Sequence, residues 1–221
     1  IVINPQHASA YNNRGVAKSN LGDSKGAIAD FNKAIAINPQ YGEAYNNSGL
    51  AKSNLGDSQG AIADFNKAIA INPQYAGAYL NRGTVKDVLG DHQGAIADFN
   101  KAIAINPQYG EAYNNRGLAK DELGDSQGAI ADFNKAIAID PPYAGAYLNR
   151  GAVKYGSGDY QGAIVDYNKA IESYPQNSNA YYNRGLAKGL SEDYQGMCLD
   201  FRKGSSLGNE NATKGLNQFC Q

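Results

Sequence analysis

The chain has 221 residues, with 20 lysines and arginines against 21 aspartates and glutamates, so its formal net charge is only -1. This balance lacks the excess positive charge that binds nucleic acid, and no apolar run approaches the roughly 20 residues that cross a bilayer. Two cysteines and two histidines are too few for a disulfide scaffold or a structural zinc site. We therefore expect a soluble protein, cytoplasmic by default, that needs no metal or other cofactor.

One spacing dominates the sequence. Prolines recur every 34 residues from Pro5 to Pro175, and tyrosines follow the same step from Tyr11 to Tyr181. Two glycine series keep it as well, which explains most of the excess of the 26 glycines over an average composition. Such a fixed period is typical of a solenoid, in which each unit buries its apolar face against its neighbours. The six units are 8–41, 42–75, 76–109, 110–143, 144–177 and 178–211.

Residues 1–7 precede the first complete unit. They contain Ile-Val-Ile-Asn-Pro, which resembles the Ile-Ala-Ile-Asn-Pro at the end of later units. They lack the basic start and apolar core of a signal peptide. We interpret them as the end of a preceding, partial repeat, so that the sequence begins inside an earlier unit.

The second unit illustrates the predicted local structure. Residues 42–55 lack proline and place apolar side chains at helical intervals, and Gly56 follows as a residue that can adopt a left-handed cap. Asp57 is expected to cap a second helix. That helix should end at Asn72, because the residue before Pro73 is pushed out of the helical region. Each unit is therefore predicted to be two helices joined by turns.

The last unit departs from this pattern. Met197 and Gly204 replace two alanines, and Glu192 replaces the glycine between the helices. Terminal repeats need a different outer face, so unit 178–211 is predicted to close the stack. Residues 212–221 place apolar side chains at helical spacing and are predicted to form a final capping helix.

The period and its recurring residues resemble the tetratricopeptide repeat (TPR) family. Units two to five match the family pattern at positions 4, 8, 20, 24, 27 and 32. These units are nearly identical to one another and in this respect resemble bacterial arrays of the family. The resemblance implies an all-α fold, a right-handed superhelical α-solenoid of antiparallel helix pairs. In the first unit the matching residues are Tyr11, Gly15, Ala27, Phe31, Ala34 and Pro39.

Comparison of the six units separates packing positions from candidate binding positions. On the first helix, positions 2, 5, 9, 12 and 13 vary, and at about 100° per residue they share one arc with position 6. The resemblance places this arc on the concave wall of the superhelix, where a ligand would bind. Position 5 is more apolar in the C-terminal half and is expected to set specificity: Asn12, Asn46, Leu80, Asn114, Leu148 and Tyr182.

Position 6 lies on the same arc but is asparagine in every unit. A side-chain amide both donates and accepts hydrogen bonds, so a row of amides can pair with the backbone of an extended peptide. The row resembles the asparagine ladder of the family's peptide-binding superhelices, as in the repeat domain of O-linked N-acetylglucosamine transferase. The alternative is that these amides bond neighbouring helices or stay solvated. The position-6 row is Asn13, Asn47, Asn81, Asn115, Asn149 and Asn183.

Charged residues are periodic too. Lysine occupies position 11 and aspartate position 23 of every unit, which favours a solvated or inter-helix ion ladder. The alternative is a charged stripe on the convex face for a second partner. Arginine recurs at position 7 in five units, but Ser48 interrupts it in the second, and the sequence offers no reason for this interruption.

No motif predicts catalysis, so the chain is not expected to be an enzyme. His92 is predicted to be a solvated surface residue. Cys198 takes the position that isoleucine fills in earlier units, so it is predicted to be a buried apolar thiol. Cys220 is expected to be exposed, and a disulfide between the two cysteines stays an open alternative.

The sequence predicts a scaffold or adaptor that binds an extended peptide or a partner helix in its groove. The protein or peptide ligand is not identified by the repeats. One alternative is a regulatory or targeting module of a larger enzyme or complex-assembly factor. Another is a self-associating structural array, held by weak contact through the open N-terminal repeat.

Overall fold

The computed structural model describes residues 7–220, and every regular element in that range is an α-helix. The predicted partial repeat at residues 1–7 therefore lies outside the described residues, except for His7 next to the first helix. The bounds are α1 Ala8–Asn20, α2 Ser24–Ile37, α3 Gly42–Asn54, α4 Ser58–Ile71, α5 Ala76–Val88, α6 His92–Ile105, α7 Gly110–Glu122, α8 Ser126–Ile139, α9 Ala144–Gly156, α10 Tyr160–Ser173, α11 Ser178–Leu190, α12 Tyr194–Ser206 and α13 Glu210–Phe219.

The helices alternate in chain order between two roles. We call the odd-numbered helices α1 to α11 the A helices and the even-numbered helices α2 to α12 the B helices. The chain divides after Pro107 into two compact units. In the first, α1 to α6 pack each against the next, and neighbouring A helices also touch; in the second, α7 to α13 do the same. The predicted all-α repeat solenoid is confirmed.

Each turn between an A helix and its B helix follows the local signals in the sequence. Gly56 has φ +81°, the left-handed region that glycine enters without steric cost. Asp57 then accepts a hydrogen bond from the backbone N–H of Gly60 at 2.9 Å and caps α4. In the last repeat Glu192 takes the glycine's place at φ 65°, which is strained for a residue with a side chain.

The core of each repeat is a glycine packed against an aromatic ring. A Cβ at Gly49 would lie 2.6 Å from Cε1 of Phe65, so only glycine lets the A and B helices approach this closely. Phe65 is fully buried, and burying such a ring stabilises the fold by roughly 2–3 kcal/mol. The equivalent rings are Phe31, Phe99, Phe133, Tyr167 and Phe201.

The final helix begins earlier than the predicted 212–221. Asn209 accepts a hydrogen bond from the backbone N–H of Ala212 at 2.8 Å and caps α13, which therefore starts at Glu210. The helix places Gly215 over the ring of Phe201, where a Cβ would lie 2.7 Å from Cε2. It thus covers the aromatic residue of the last repeat.

The two cysteines form a disulfide, so the prediction of a buried apolar thiol at Cys198 is wrong. Cys198 on α12 is half-buried and bonded to Cys220, directly after α13, with the two Cα atoms 5.6 Å apart. In earlier repeats this position holds an isoleucine such as Ile28. In the last repeat the segment that follows is α13 and not another repeat, and Cys220 at the end of that helix bonds Cys198.

Candidate functional site

Burial separates the varied positions of the A helices into two sets. On α3, the side chains at positions 2, 9 and 13, Glu43, Leu50 and Asn54, are exposed, and Asn47 at position 6 is half-buried. Their spacing of i, i+4, i+7 and i+11 places them along one side of the helix. We call positions 2, 6, 9 and 13 of the A helices the A-helix stripe. No member of this stripe is buried on α1, α3, α5, α7, α9 or α11.

Position 5 lies outside the stripe, against neighbouring helices. Asn12, Asn46, Leu80 and Asn114 are buried, with at most 6% exposure, so they do not form the open wall on which we expected them. Leu148 is half-buried and packs against the cluster around Tyr167. Tyr182 stacks on Phe201 with the ring centroids 5.7 Å apart. Any part these six residues play in binding stays a prediction, and for the four buried ones it would be indirect.

Hydrogen bonds connect position 6 to position 5 of the preceding repeat. In the compact unit that ends at Pro107, Nδ2 of Asn47 donates to Oδ1 of Asn12 at 3.1 Å, and Nδ2 of Asn81 donates to Oδ1 of Asn46 at 2.9 Å. In the compact unit that follows Pro107, Asn149 bonds Asn114 in the same way at 3.0 Å. The amides therefore do bond neighbouring helices. An amide can make about four hydrogen bonds, so this contact leaves capacity for a ligand.

The compact unit that follows Pro107 also contains an apolar cavity of about 450 Å³, which is large enough for a bulky side chain. Gly189 packs closely against Met197 in its wall, where a Cβ would lie 2.7 Å from Sδ. Burial raises the pKa of Tyr155 at its edge, so this phenol stays neutral. The cavity is lined by Tyr155, Leu186, Gly189, Leu190, Tyr194, Met197, Phe201 and Phe219.

Sequence reasoning missed this cavity. Leu186 and Leu190 are stripe positions of α11, and Tyr155 and Gly189 occupy position 12, so these four were among the varied positions. Tyr194 and Phe219 lie on α12 and α13, which no pattern linked to the groove. One signal was available, because the last two repeats replace polar residues by aromatic or apolar ones around this point.

Ion pairs between the A and B helices hold each repeat together. Arg82 donates from Nε to Oδ2 of Asp98 at 2.9 Å and from Nη2 to Oδ1 at 2.5 Å, and Lys86 lies 2.8 Å from Oδ2. The same triad occurs in repeats one, four, five and six. The inter-helix interpretation is confirmed. The aspartates of these triads are buried, so they form no charged stripe on the outer surface.

These contacts change the acidity of the carboxylate. The hydrogen bond from Arg14, assisted by Lys18, lowers the pKa of Asp30 to about 2 even though burial opposes the charge. Asp30 therefore stays ionised at neutral pH in the interior of the first repeat. The A helices are fixed in orientation by charge as well as by packing.

His92 is half-buried and paired, which differs from the predicted solvated residue. Its Nδ1 lies 2.7 Å from Oδ1 of Asp87, which is five residues earlier, near the end of α5. Within residues 7–220, no group of three or more histidine, cysteine or acidic side chains is placed to hold a metal ion. No helix in the described part of the chain combines the length and apolar character that crossing a membrane requires.

Two family models match the sequence. One, described as tetratricopeptide repeat, matches residues 8–41, 42–75 and 110–143, and a second, described as TPR repeat, matches 89–124 and 155–190. This chain belongs to the tetratricopeptide repeat family. No curated protein matches the sequence of this TPR chain.

Several solved structures are similar to the TPR chain. The crystal structure of MamA is 29% identical, with a TM-score of 0.66, and the match covers 75% of this chain and 96% of MamA. PilW, described as a widely conserved type IV pilus biogenesis factor, is 18% identical with a TM-score of 0.86, covering 95% and 98%. YrrB, described as a TPR protein with an unusual peptide-binding site, is 21% identical with a TM-score of 0.65, covering 85% and 97%. The last two likenesses show the fold alone.

Proposed function

We propose that this TPR chain is a non-catalytic interaction scaffold whose A-helix stripe binds an extended peptide. The observation that carries the proposal is the bonding of Asn47, Asn81 and Asn149 to the preceding repeat. Each amide is half-buried and held from one side, so little side-chain entropy is lost when a ligand bonds it. The position-6 row would then act as an asparagine ladder, similar to that of O-linked N-acetylglucosamine transferase.

The chemistry of an amide suits the backbone of a peptide. A peptide backbone offers one N–H donor and one C=O acceptor per residue, and an amide complements both. Binding through the row should therefore depend little on the ligand's side chains. A second feature is needed for selectivity.

The apolar cavity supplies that selectivity. Leu186 and Leu190 belong to the A-helix stripe and also line the cavity, so a peptide along α11 would pass its mouth. Leu190 is 52% exposed and Phe219 is 58% exposed, so burying them against a ligand would be favourable. We propose that the cavity receives one large apolar side chain as an anchor. Tyr182 contributes indirectly, because it stacks on Phe201 at the cavity wall.

The test is a peptide array followed by titration of the selected peptides. Replacing Asn149 and Asn183 together by alanine should weaken all selected peptides by about tenfold, since two hydrogen bonds are lost whatever the side chains. Asn211→Ala, an exposed position on α13 outside the stripe and the cavity, is the matched control and should change nothing.

Leu190→Ser separates the two contributions. It should reduce affinity only for peptides with a large apolar residue and should leave the remaining peptides unchanged. Equal affinities for the wild type and the Asn149/Asn183 double variant would contradict the proposal. The two other functions that the sequence predicts, a targeting or regulatory module and a self-associating array, stay predictions.

A further inference from the structure

The arginine at position 7 is held by three different groups. In repeat three, Asp98 accepts the two parallel hydrogen bonds from Arg82, whose guanidinium carbon lies 5.5 Å from the ring centroid of Tyr79. Nη1 of Arg82 donates to Asn66 on the B helix of the preceding repeat. We call this set of carboxylate, tyrosine ring and amide the guanidinium clasp. It uses the planar fork and the flat face of the group, which a lysine lacks.

The clasp is repeated in the molecule. The carboxylate and the ring hold arginine in repeats one, four, five and six, and the amide from the preceding repeat also takes part in repeats five and six. The arginine-aspartate-tyrosine sets are Arg14 with Asp30 and Tyr11, Arg116 with Asp132 and Tyr113, Arg150 with Asp166 and Tyr147, and Arg184 with Asp200 and Tyr181.

Repeat two has the clasp residues but carries Ser48 where the arginine stands elsewhere. Tyr45 and Asp64 occupy the ring and carboxylate positions, and Asn32 occupies the amide position of the preceding B helix. The helix bounds of α3 and α4 match those of α5 and α6 in their repeat. A Cβ at Gly49 would lie 2.6 Å from its aromatic partner, against 2.7 Å in repeat three. The backbone that carries the clasp is therefore equivalent in the two repeats.

With serine in place of arginine at position 48, the carboxylate of Asp64 is more exposed than its counterparts. The Asp64 side chain is 14% exposed, against 5% for Asp98 beside its arginine. Lys52 still lies 2.6 Å from Oδ2 of Asp64. Within the described residues, the buried Oγ of Ser48 forms no hydrogen bond, whereas the buried Oδ2 of Asp64 is ion-paired with Lys52. A partly exposed carboxylate thus lacks the arginine that pairs with its counterparts, at a position that a tyrosine ring flanks in the other repeats.

We infer that repeat two contains a binding site for a guanidinium group, which an arginine side chain of a partner protein supplies. Five arginines held by the carboxylate and the ring, three of them also by the amide, show which chemistry these residues accept. Asp64 provides a charged acceptor, the Tyr45 ring a face for stacking, and Asn32 an amide oxygen.

This site is separate from the proposed peptide surface. Positions 4, 7 and 11 point to the side of the A helix opposite positions 2, 6, 9 and 13, at about 100° per residue. A partner could therefore place an arginine at Asp64 while a peptide occupies the stripe. The inference does not depend on the proposed function.

Ligand-observed NMR tests the site with a capped arginine, N-acetyl-arginine methylamide, as the probe. The wild type should bind it saturably and weakly, in the millimolar range that a single side chain can reach. The capped lysine should bind at least about fivefold more weakly, because it lacks the bidentate fork. Equal binding of the two probes would overturn the inference.

Three variants locate the binding. Ser48→Arg should abolish it by filling the clasp, and five repeats already show that arginine is compatible with the fold at this position. Asp64→Asn should weaken it by about tenfold through loss of the charged acceptor. Arg82→Ser should create a second site at Asp98 and double the bound amount at saturation. If Ser48→Arg binds as the wild type does, the site is not in repeat two and the inference fails, whatever the other variants show.

Discussion

Asn81 donates a hydrogen bond from Nδ2 to Oδ1 of Asn46 at 2.9 Å, which joins position 6 of one A helix to position 5 of the preceding one. Asn46 is 6% exposed, whereas Asn81 is half-buried. The buried amide thus orients the accessible one. Repeats that carry leucine at position 5 cannot make this contact, so the row is supported differently along the chain.

The variant Asn46→Leu should show whether peptide binding needs Asn81 in a fixed orientation or only needs it to be present. Leucine fits position 5, because Leu80 is buried there with 3% exposure, and Asn81 can bond water instead. We expect the free energy of unfolding to change by less than about 1 kcal/mol. Peptide affinity should fall severalfold, since Asn81 is no longer oriented. Urea denaturation and peptide titration measure the two effects, with Asn81→Ala as the reference for complete loss. An affinity equal to wild type would show that the orientation is not needed.

Stability should fall in acid because Asp30 must be protonated. The hydrogen bond from Arg14 lowers the pKa of Asp30 from 3.8 to about 2. The folded state therefore holds the ionised form better than the unfolded chain does. This contribution is fully present above about pH 4 and is lost as the pH falls toward 2. Arg14→Ser should remove most of it and should flatten the pH dependence between pH 4 and 2.

Urea denaturation at a series of pH values checks this prediction. Lys25→Ser removes a positive charge from an exposed position of α2 and serves as the control for net charge. If both variants lose the same free energy at every pH, the contact between Arg14 and Asp30 does not cause the acid sensitivity.

Two glycines in α9 should respond to alanine in opposite directions. A Cβ at Gly151 would lie 2.7 Å from Cε1 of Tyr167, so the helices must separate, at a cost of about 1–3 kcal/mol. At Gly156 no atom lies within 4 Å of the added Cβ, and alanine has the higher helix propensity, so stability should rise by up to about 1 kcal/mol. Thermal unfolding monitored by circular dichroism compares them directly. Equal midpoints would contradict the proposed close approach.

The local elements were predictable because their causes lie within a few residues. Gly56 and Asp57 fix the turn and the start of α4 by their own conformational preferences, without help from distant contacts. The early start of α13 was missed for a related reason. Asn209 stands where earlier units carry proline, and it was not predicted as an N-cap, although asparagine is a strong N-cap residue.

The site was less predictable because it depends on how neighbouring helices pack. Positions 5 and 6 share one arc by periodicity, yet Asn46 is buried against a neighbour while Asn47 is accessible. The pairing of Arg82 with Asp98 left a trace in the sequence, since arginine and aspartate recur 16 residues apart in five repeats. Without a structure, nothing distinguished that spacing from the one between lysine and aspartate.

The disulfide predicts a local effect of reduction. Cys198 and Cys220 are 22 residues apart, and closing a loop of this length stabilises the fold by about 3 kcal/mol. In a solenoid each repeat is supported mainly by its neighbours, so Cys220→Ser should release α13 without unfolding the preceding repeats. Hydrogen exchange should therefore increase over residues 210–219 and change little before α11.

Peptide binding gives a second measurement of the same change. Phe219 lines the apolar cavity and precedes Cys220, so its release should lower affinity for peptides with an apolar anchor. Wild type treated with a reductant should behave as the Cys220→Ser variant does, and the variant itself should not respond to the reductant. Because cytoplasmic thiols are kept reduced, full anchor binding would then require an oxidising compartment. If α13 exchanges equally slowly with and without the reductant, packing against Phe201 alone holds it, and redox state has no part in binding.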